Sequence, residues 1–422
     1  MKSVVGSLSR LKDRGAPAVL AGSVLTKAAA FLGSIVLVRV MSKYEYGVLS
    51  YMENVYTYVY LLAGLGLNNA VFRYVVLKEG PSEKLSVIRF VLARGAAINI
   101  AIVLVGIAFA ILFPHAPEFS RAASLLPVML LALPFQFSYD TFSYSLRALF
   151  RNGTYAIVAV EAIALVWTGK VVGTVAAGLD GAVWAGVAAY TAMAAGCLVY
   201  FRTVLFPGVE PSPTSRGEAK SYLAYGAQFM VTNGMWAMFL QNDLLLIGML
   251  TGDPSSVADY RVAYAVPSMM AILSSSIGTF VAPYFIRHEG DRRWVWSNYK
   301  KVIVVTSLVL GPLCLGIALF SKPFVGFFYG VEYLNAVPLM SLLLVSSFIT
   351  NGIRYTTANL LSATGKVKAN MVIAVCGIAA QLALNLLLIP QFGEYGAAAT
   401  SIVVYSGMAI AVVVVFKKIY QR

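Results

Sequence analysis

Residues 179–190, LDGAVWAGVAAY, and residues 394–405, EYGAAATSIVVY, are two versions of one pattern, with Gly181 on Gly396 and Tyr190 on Tyr405 at an offset of 215. The spacing recurs. Glu45-Tyr46-Gly47-Val48 lines up with Asp259-Tyr260-Arg261-Val262 at an offset of 214, and at 215 the basic turn Arg151-Asn152-Gly153 falls on Lys366-Val367-Lys368. Landmarks sharing one offset point to a duplicated chain.

The sequence between the landmarks is apolar. At 59% hydrophobic and 12% charged residues over 422 positions, with mean hydropathy +0.78, this is the composition of an integral membrane protein. Too little polar sequence is left for a soluble enzyme, a nucleic-acid binder or a receptor with a large folded ectodomain. Each spanning helix needs about 20 apolar residues. Windows broken by charged or Pro/Gly-rich stretches give twelve expected spans, at 17–40, 46–72, 90–113, 122–147, 155–176, 181–205, 222–250, 258–286, 299–321, 336–361, 368–390 and 395–416. Bends are expected where Pro127, Pro134, Pro267 and Pro283 fall inside them.

The best linker, FPGVEPSPTSRGEAK at 206–220, divides the spans six and six. The expected organisation is a cytoplasmic segment 1–16, a six-helix bundle 17–205, a cytoplasmic linker 206–221, a second six-helix bundle 222–416 and a tail 417–422. Six is even, so both copies cross in the same sense and relate by a pseudo-two-fold along the membrane normal. The expected fold is therefore all-α and polytopic. The run Ala16–Val40 is longer than a signal-peptide core and reads as a retained first anchor.

Positive charge sets the orientation. With the N-terminus inside, 23 of the 32 Lys and Arg flank cytoplasmic span ends and six (Arg39, Lys43, Arg121, Lys170, Arg261 and Lys322) fall outside, which leaves Lys27, Arg94 and Arg354 within spans. Both termini are expected in the cytoplasm and the protein in the cell membrane. The formal charge of +14 is then a topology signal and not a sign of a nucleic-acid partner.

An ionisable group inside a span costs at least about 2.5–3.5 kcal/mol and needs a partner, water or a function. Lys27 lies near mid-membrane in the first span. Gln136, Asp140, Tyr144 and Arg147 recur at spacings of four, four and three, which is one helical face and suits a wet cavity wall. Gln228, Thr232, Trp236 and Asp243 repeat the idea in span 7. For both stripes the alternative is a seam of interhelical hydrogen bonds, and for Asp140 an ion pair with Arg147. Arg354 shares a face with Ser347 and Asn351, snorkelling being its alternative. Glu53 lies among Tyr56, Tyr58 and Tyr60, the aromatic and polar mixture that sugar rings stack against; for Tyr51 an interfacial aromatic belt is preferred. Glu161 reads as a structural ion pair with the Arg147 and Arg151 turn, and Arg94 as headgroup-facing.

Cys197, Cys314 and Cys376 have no paired spacing, and neither metal-ligand spacings, a phosphate-binding Gly-Lys-Ser/Thr loop nor a nucleophile with its base is present in the sequence. No cofactor or metal is expected, and ATP cannot be the direct energy source. His115 and His288 both read as loop residues.

The run Ala358–Tyr405 resembles the C-terminal signature of polysaccharide flippases of the multidrug/oligosaccharidyl-lipid/polysaccharide exporter superfamily. Asn385-Leu-Leu-Leu-Ile-Pro390, Gly393 and Gly396-Ala-Ala-Ala-Thr400 carry most of the likeness. Leu25-Thr26-Lys27 through Val38-Arg39-Val40-Met41, then Glu45-Tyr46-Gly47, Gly66-Leu67-Asn68 and Gln241-Asn242-Asp243 through Tyr260, are similar to the same family. The resemblance implies a two-lobed bundle, likewise monomeric, that moves a lipid-diphosphate-linked oligosaccharide from the inner to the outer leaflet by alternating access. Substrate-facing residues would be Lys27, Glu53, Tyr56, Tyr60, Tyr144, Arg147, Gln228, Trp236 and Arg354. Twelve spans depart from the fourteen of the peptidoglycan-precursor relatives.

The nearest rival is a cation-coupled small-molecule antiporter of the same superfamily, with Asp140 or Asp243 exchanging H⁺ or Na⁺. Four acids (Glu53, Asp140, Glu161 and Asp243) against three cations within the spans do not separate the two. A glycan polymerase or O-acyltransferase would need a long outer loop or an intramembrane His, and the expected spans supply neither.

Overall fold

The computed structural model describes residues 16–112 and 117–421, and among these the regular structure is entirely helical. His115 lies outside the described residues. The first helices are α1 (Ala16–Val40), α2 (Lys43–Leu61), α3 (Leu67–Leu77), α4 (Pro81–Leu112), α5 (Ser120–Leu130), α6 (Leu133–Ala148) and α7 (Asn152–Tyr200). Then come α8 (Arg216–Thr251), α9 (Pro254–Arg287), α10 (Arg292–Leu319), α11 (Ser321–Phe328), α12 (Ala336–Phe348), α13 (Thr356–Ala363), α14 (Val367–Phe392) and α15 (Glu394–Tyr420). Among the described residues eight helices are long and apolar enough to cross a membrane, or ten if each of two bent pairs is one span.

Local chemistry places the ends. Ser42 and Glu45 form a reciprocal capping box at the start of α2, and Asp253 caps α9, with Pro254 in its first turn. Asp291 caps α10 through the Trp294 amide. Between α2 and α3 the chain bends by 44° through Gly64, Leu65 and Gly66, all at positive φ. Leu65 is strained there, and the bend is held because buried Asn99 accepts the Gly64 amide at 2.8 Å. The expected proline bends divide: α5 and α6 meet at 46° with Pro134 opening α6, while α5 and α9 run on through Pro127, Pro267 and Pro283.

The long helix α7 is two helices. Ala177 (φ −149°, ψ 26°) and Gly178 (φ 59°, ψ −140°) break it, and the arms fold back so closely that a Cβ on Gly181 would lie 1.9 Å from the Gly173 carbonyl oxygen. The α14–α15 turn repeats this geometry 215 residues later: Gly393 has φ 57° and ψ −138°, and a Cβ on Gly396 would lie 2.4 Å from the Leu388 carbonyl oxygen. The offset read from sequence thus links two turns of one backbone conformation and two close contacts of one kind. Small residues also seat α1 on the first arm of α7, with Gly22 against Ala156 and Gly33 against Trp167.

The chain forms two compact units, residues 1–241 and 242–422. The border lies within α8 and not at the 206–221 linker. The reason is that the first half of α8 is packed into the first unit. Gly226 is in backbone contact with Leu65 and Gly66, and the Tyr222 ring packs at a tilt on Tyr74 and edge-on to Phe90. Lys78 donates to Glu218 at 2.7 Å. That hydrogen bond, followed by the backbone and hydroxyl of Ser215, holds the Glu218 carboxyl down to about 2 and raises Lys78. In the second unit a core of Phe285, Val295, Tyr299, Leu360, Leu361, Phe416 and Tyr420 closes one end.

Candidate functional site

Each unit holds one buried or half-buried polar cluster built around an aspartate. In the first unit the stripe of α6 faces α2 and α3 residue by residue. Tyr56 donates to Gln136 at 2.7 Å and Tyr60 to Asp140 Oδ2 at 2.6 Å, a ladder with the same four-residue step on both helices. One turn further on, Tyr144 meets Phe72 edge-on, and the Arg147 guanidinium lies over the rings of Phe72 and Tyr155 at 5.1 and 5.3 Å. Among the described residues Arg147 therefore does not pair with Asp140; its charge rests on aromatic faces.

Glu53, one turn before Tyr56, accepts from Lys170 on α7 at 2.6 Å. Lys170, one of the charges expected outside, is the counter-ion of Glu53, a role that its position in the sequence does not announce. An acid and a base that meet in an apolar surround neutralise a cost that neither bears alone. Behind them Thr141 donates to Asn68 at 2.6 Å. The cluster is a seam of interhelical hydrogen bonds.

The cluster of the second unit is denser. Asp243, 9% exposed, accepts four hydrogen bonds: from Tyr260 at 2.8 Å, Gln381 at 2.9 Å, Asn385 at 2.7 Å and Ser401 at 3.0 Å. All four donors are neutral. Among the described residues Gln381 Oε1 and Asn385 Oδ1, on the two amides that donate to Asp243, are buried without a hydrogen-bond partner.

Arg354 is 4% exposed and lies in a π-helical stretch, Ile349–Tyr355, that interrupts α12 and α13. Buried, it is not a snorkelling residue. Asn351 and Ser347, placed with it on one face in sequence, belong to a seam in which Ser347 donates to the Pro267 carbonyl and Ser274 to that of Asn351. Tyr405 lies within electrostatic range of both Arg354 and Asp243.

Other expectations are redistributed. Lys27, Arg94, Glu161 and Gln228 are exposed. Among the described residues Glu161 forms no ion pair with Arg147 or Arg151, because Arg147 is occupied by rings. The side chains of Thr232, Trp236 and Gln241 lie outside the described residues. Sequence reasoning missed Tyr260, Gln381, Asn385 and Ser401 as partners of Asp243. The available signal was Gln381 and Asn385, two amides four residues apart on one face of an otherwise apolar span.

A family model described as polysaccharide biosynthesis protein matches residues 36–338. The chain belongs to this family. The EPS I polysaccharide export inner membrane protein EpsE of Ralstonia solanacearum is 22% identical over 368 residues, covering 84% of this chain and 82% of its own length. Two further curated relatives are matched over only 36% and 26% of their lengths. In fold, the chain is similar to the lipid II flippase MurJ in an inward closed conformation (TM-score 0.72, 14% identity, 96% of this chain and 90% of that one). It is equally similar to an inward-facing multidrug resistance MATE family transporter of the MOP superfamily (TM-score 0.73, 14% identity, 94% of each). The family to which this multi-pass membrane protein belongs agrees with the resemblance carried by Lys27, Asn385-Pro390 and Gly396-Thr400, and the two structures share its fold.

Proposed function

We propose that the chain moves a lipid-diphosphate-linked oligosaccharide from the cytoplasmic to the outer leaflet of the cell membrane during cell-surface polysaccharide synthesis. In this reading it acts as a monomer of twelve spans. Two six-helix halves related by a pseudo-two-fold along the membrane normal alternate access around the cargo, with both termini cytoplasmic. The observation that carries the reading is the family match over 36–338, which EpsE supports by its name. Lys27, Arg147 and Arg354 offset the diphosphate, while Tyr56, Tyr60, Tyr144, Gln228 and Trp236 meet the sugars, with Glu53 set in place by Lys170.

Coupling is assigned to Asp243 ahead of Asp140. Asp243 is a buried carboxylate whose charge is met by four neutral donors and by no cation among the described residues, so uptake of H⁺ or Na⁺ there would change the balance of the cluster most. An ion biases the cycle only through different affinity in the two states, so a cluster assembled from α8, α9, α14 and α15 must loosen in one of them.

The test uses proteoliposomes holding a fluorescent lipid-diphosphate oligosaccharide, with an impermeant quencher reporting leaflet residence. Translocation faster than in protein-free vesicles, slowed tenfold or more by Lys27→Ala and Arg354→Gln, is expected; a rate equal to the protein-free one overturns the reading. The similarity to a multidrug transporter favours one rival, the cation-coupled antiporter, and ion-driven extrusion of a cationic dye without lipid translocation would replace the flippase by it.

A further inference from the structure

A cavity of about 800 Å³ lies wholly within the first unit, between α4, α6, the second arm of α7 and the segment that follows it. It sits behind the polar stripe: Ser138 and Phe142 line it from the face of α6 opposite to Gln136 and Asp140. Its walls are apolar, with Ile88, Leu92, Leu198 and Phe201 among them, and its volume is in the range of about 300–1,000 Å³ found for ligand pockets. Two arginines, Arg89 and Arg202, stand in the lining, both exposed, and no Asp or Glu lines it. Neither arginine has an ion-pair partner among the described residues. Arg202 is carried on a π-helical turn, Phe201–Leu205, a departure from α-helix common at functional sites.

From this geometry we infer that the cavity is a site for an anionic phospholipid of the surrounding membrane, held with an acyl chain among the apolar walls and its phosphate between Arg89 and Arg202. Two cations in one lining that holds no acid repel one another, and an external phosphate removes that cost. Basic pockets between spanning helices take lipid headgroups on this principle. A soluble anion would not use the apolar walls, and a neutral lipid would not use the arginines.

The site also reaches the connection between the repeats. Phe206, Val209 and Pro211 complete the lining, and their segment is laced to the start of α4: Ser82 donates to the Glu210 carbonyl, the Ser212 amide donates to Ser82 at 3.3 Å, and Ser86 meets Thr214 at 3.1 Å. A lipid in the cavity therefore stiffens the segment that leads into α8.

The experiment measures Tm of the delipidated protein in detergent with added phosphatidylglycerol, phosphatidylcholine or inorganic phosphate, and counts retained lipids by native mass spectrometry. Phosphatidylglycerol alone should raise Tm, and one copy should be retained. In R89Q/R202Q the rise should fall by more than half, whereas R89K/R202K should keep most of it, and Leu92→Trp, which fills the cavity, should lose it. An equal rise with phosphatidylcholine or with inorganic phosphate overturns the proposal, as does an undiminished rise in R89Q/R202Q. Displacement of the bound phosphatidylglycerol by a lipid-diphosphate oligosaccharide would assign the cavity to cargo and overturn it too.

Discussion

Asp140 and Asp243 look alike in sequence, each an acid on a polar stripe of an apolar span, yet the hydrogen bonds around them differ. Asp140 accepts from the Tyr60 hydroxyl, whereas Asp243 is enclosed by four donors on three other helices. Replacing Asp243 by Asn turns an amide NH₂ toward donors and leaves at least one buried group unmatched, a cost of about 1–3 kcal/mol. Asp243→Asn should lower Tm and abolish dependence of transport on the coupling ion, measured in proteoliposomes under imposed Na⁺, pH and voltage gradients. Asp140→Asn should change both less. If both variants keep wild-type gradient dependence, neither carboxylate is the coupling site, and the membrane potential acting on anionic cargo becomes the better account. The acids were legible because a charge in an apolar run is costly and therefore conspicuous. Their partners were not, because Gln381 lies 138 residues from Asp243 and only the packing of α14 against α8 brings the two together.

Among the elements, the two glycine-pivoted turns were the most legible: the break at 177–180 and the offset of 215 were both readable before any coordinates. The backbone contact between their arms was not, since the repeat marks Gly181 and Gly396 as equivalent without saying that either touches the facing arm. That contact predicts intolerance of a single methyl group. Gly181→Ala would place a Cβ 1.9 Å from the Gly173 carbonyl oxygen, and Gly396→Ala one 2.4 Å from that of Leu388, so each should destabilise by about 1–3 kcal/mol through separation of the arms. Gly407→Ala, where a Cβ meets nothing within 4 Å, is the control and should leave Tm within a degree or two. Equal Tm for Gly181→Ala and Gly407→Ala would mean that the arms are not held by this contact. The 44° bend of α2 and α3 was hidden from sequence for a related reason. Gly64 and Gly66 announce a weak point, but it is the side chain of Asn99, on another helix, that fixes it.

In the whole molecule, the all-helical, many-spanning character followed from hydropathy because each crossing needs its own apolar length. Eight to ten of the twelve expected spans are met by helices long and apolar enough among the described residues, while the border of the two compact units is set by packing. The polar linker is where the chain leaves the apolar phase, but Lys78–Glu218 and the Gly66–Gly226 contact carry α8 back onto the first unit before the second begins. This tether titrates. The Glu218 carboxyl is held at about 2 by Lys78, below its ordinary 4.5, so its contribution is complete above about pH 4.5 and is lost as pH falls toward 2. Both side chains are partly exposed, so the effect is modest and salt-sensitive. Tm should fall more steeply over that range in wild type than in Glu218→Gln, and matching slopes would remove the tether from the stability of the fold. The turns at Gly178 and Gly393 bear as well on how the chain enters the membrane during synthesis. Arms whose backbones touch, joined by one or two residues, satisfy their polar groups within themselves and leave no loop long enough to rest on the far side. Each pair therefore enters the bilayer as a closed hairpin, so an error of orientation there inverts two spans together and never one.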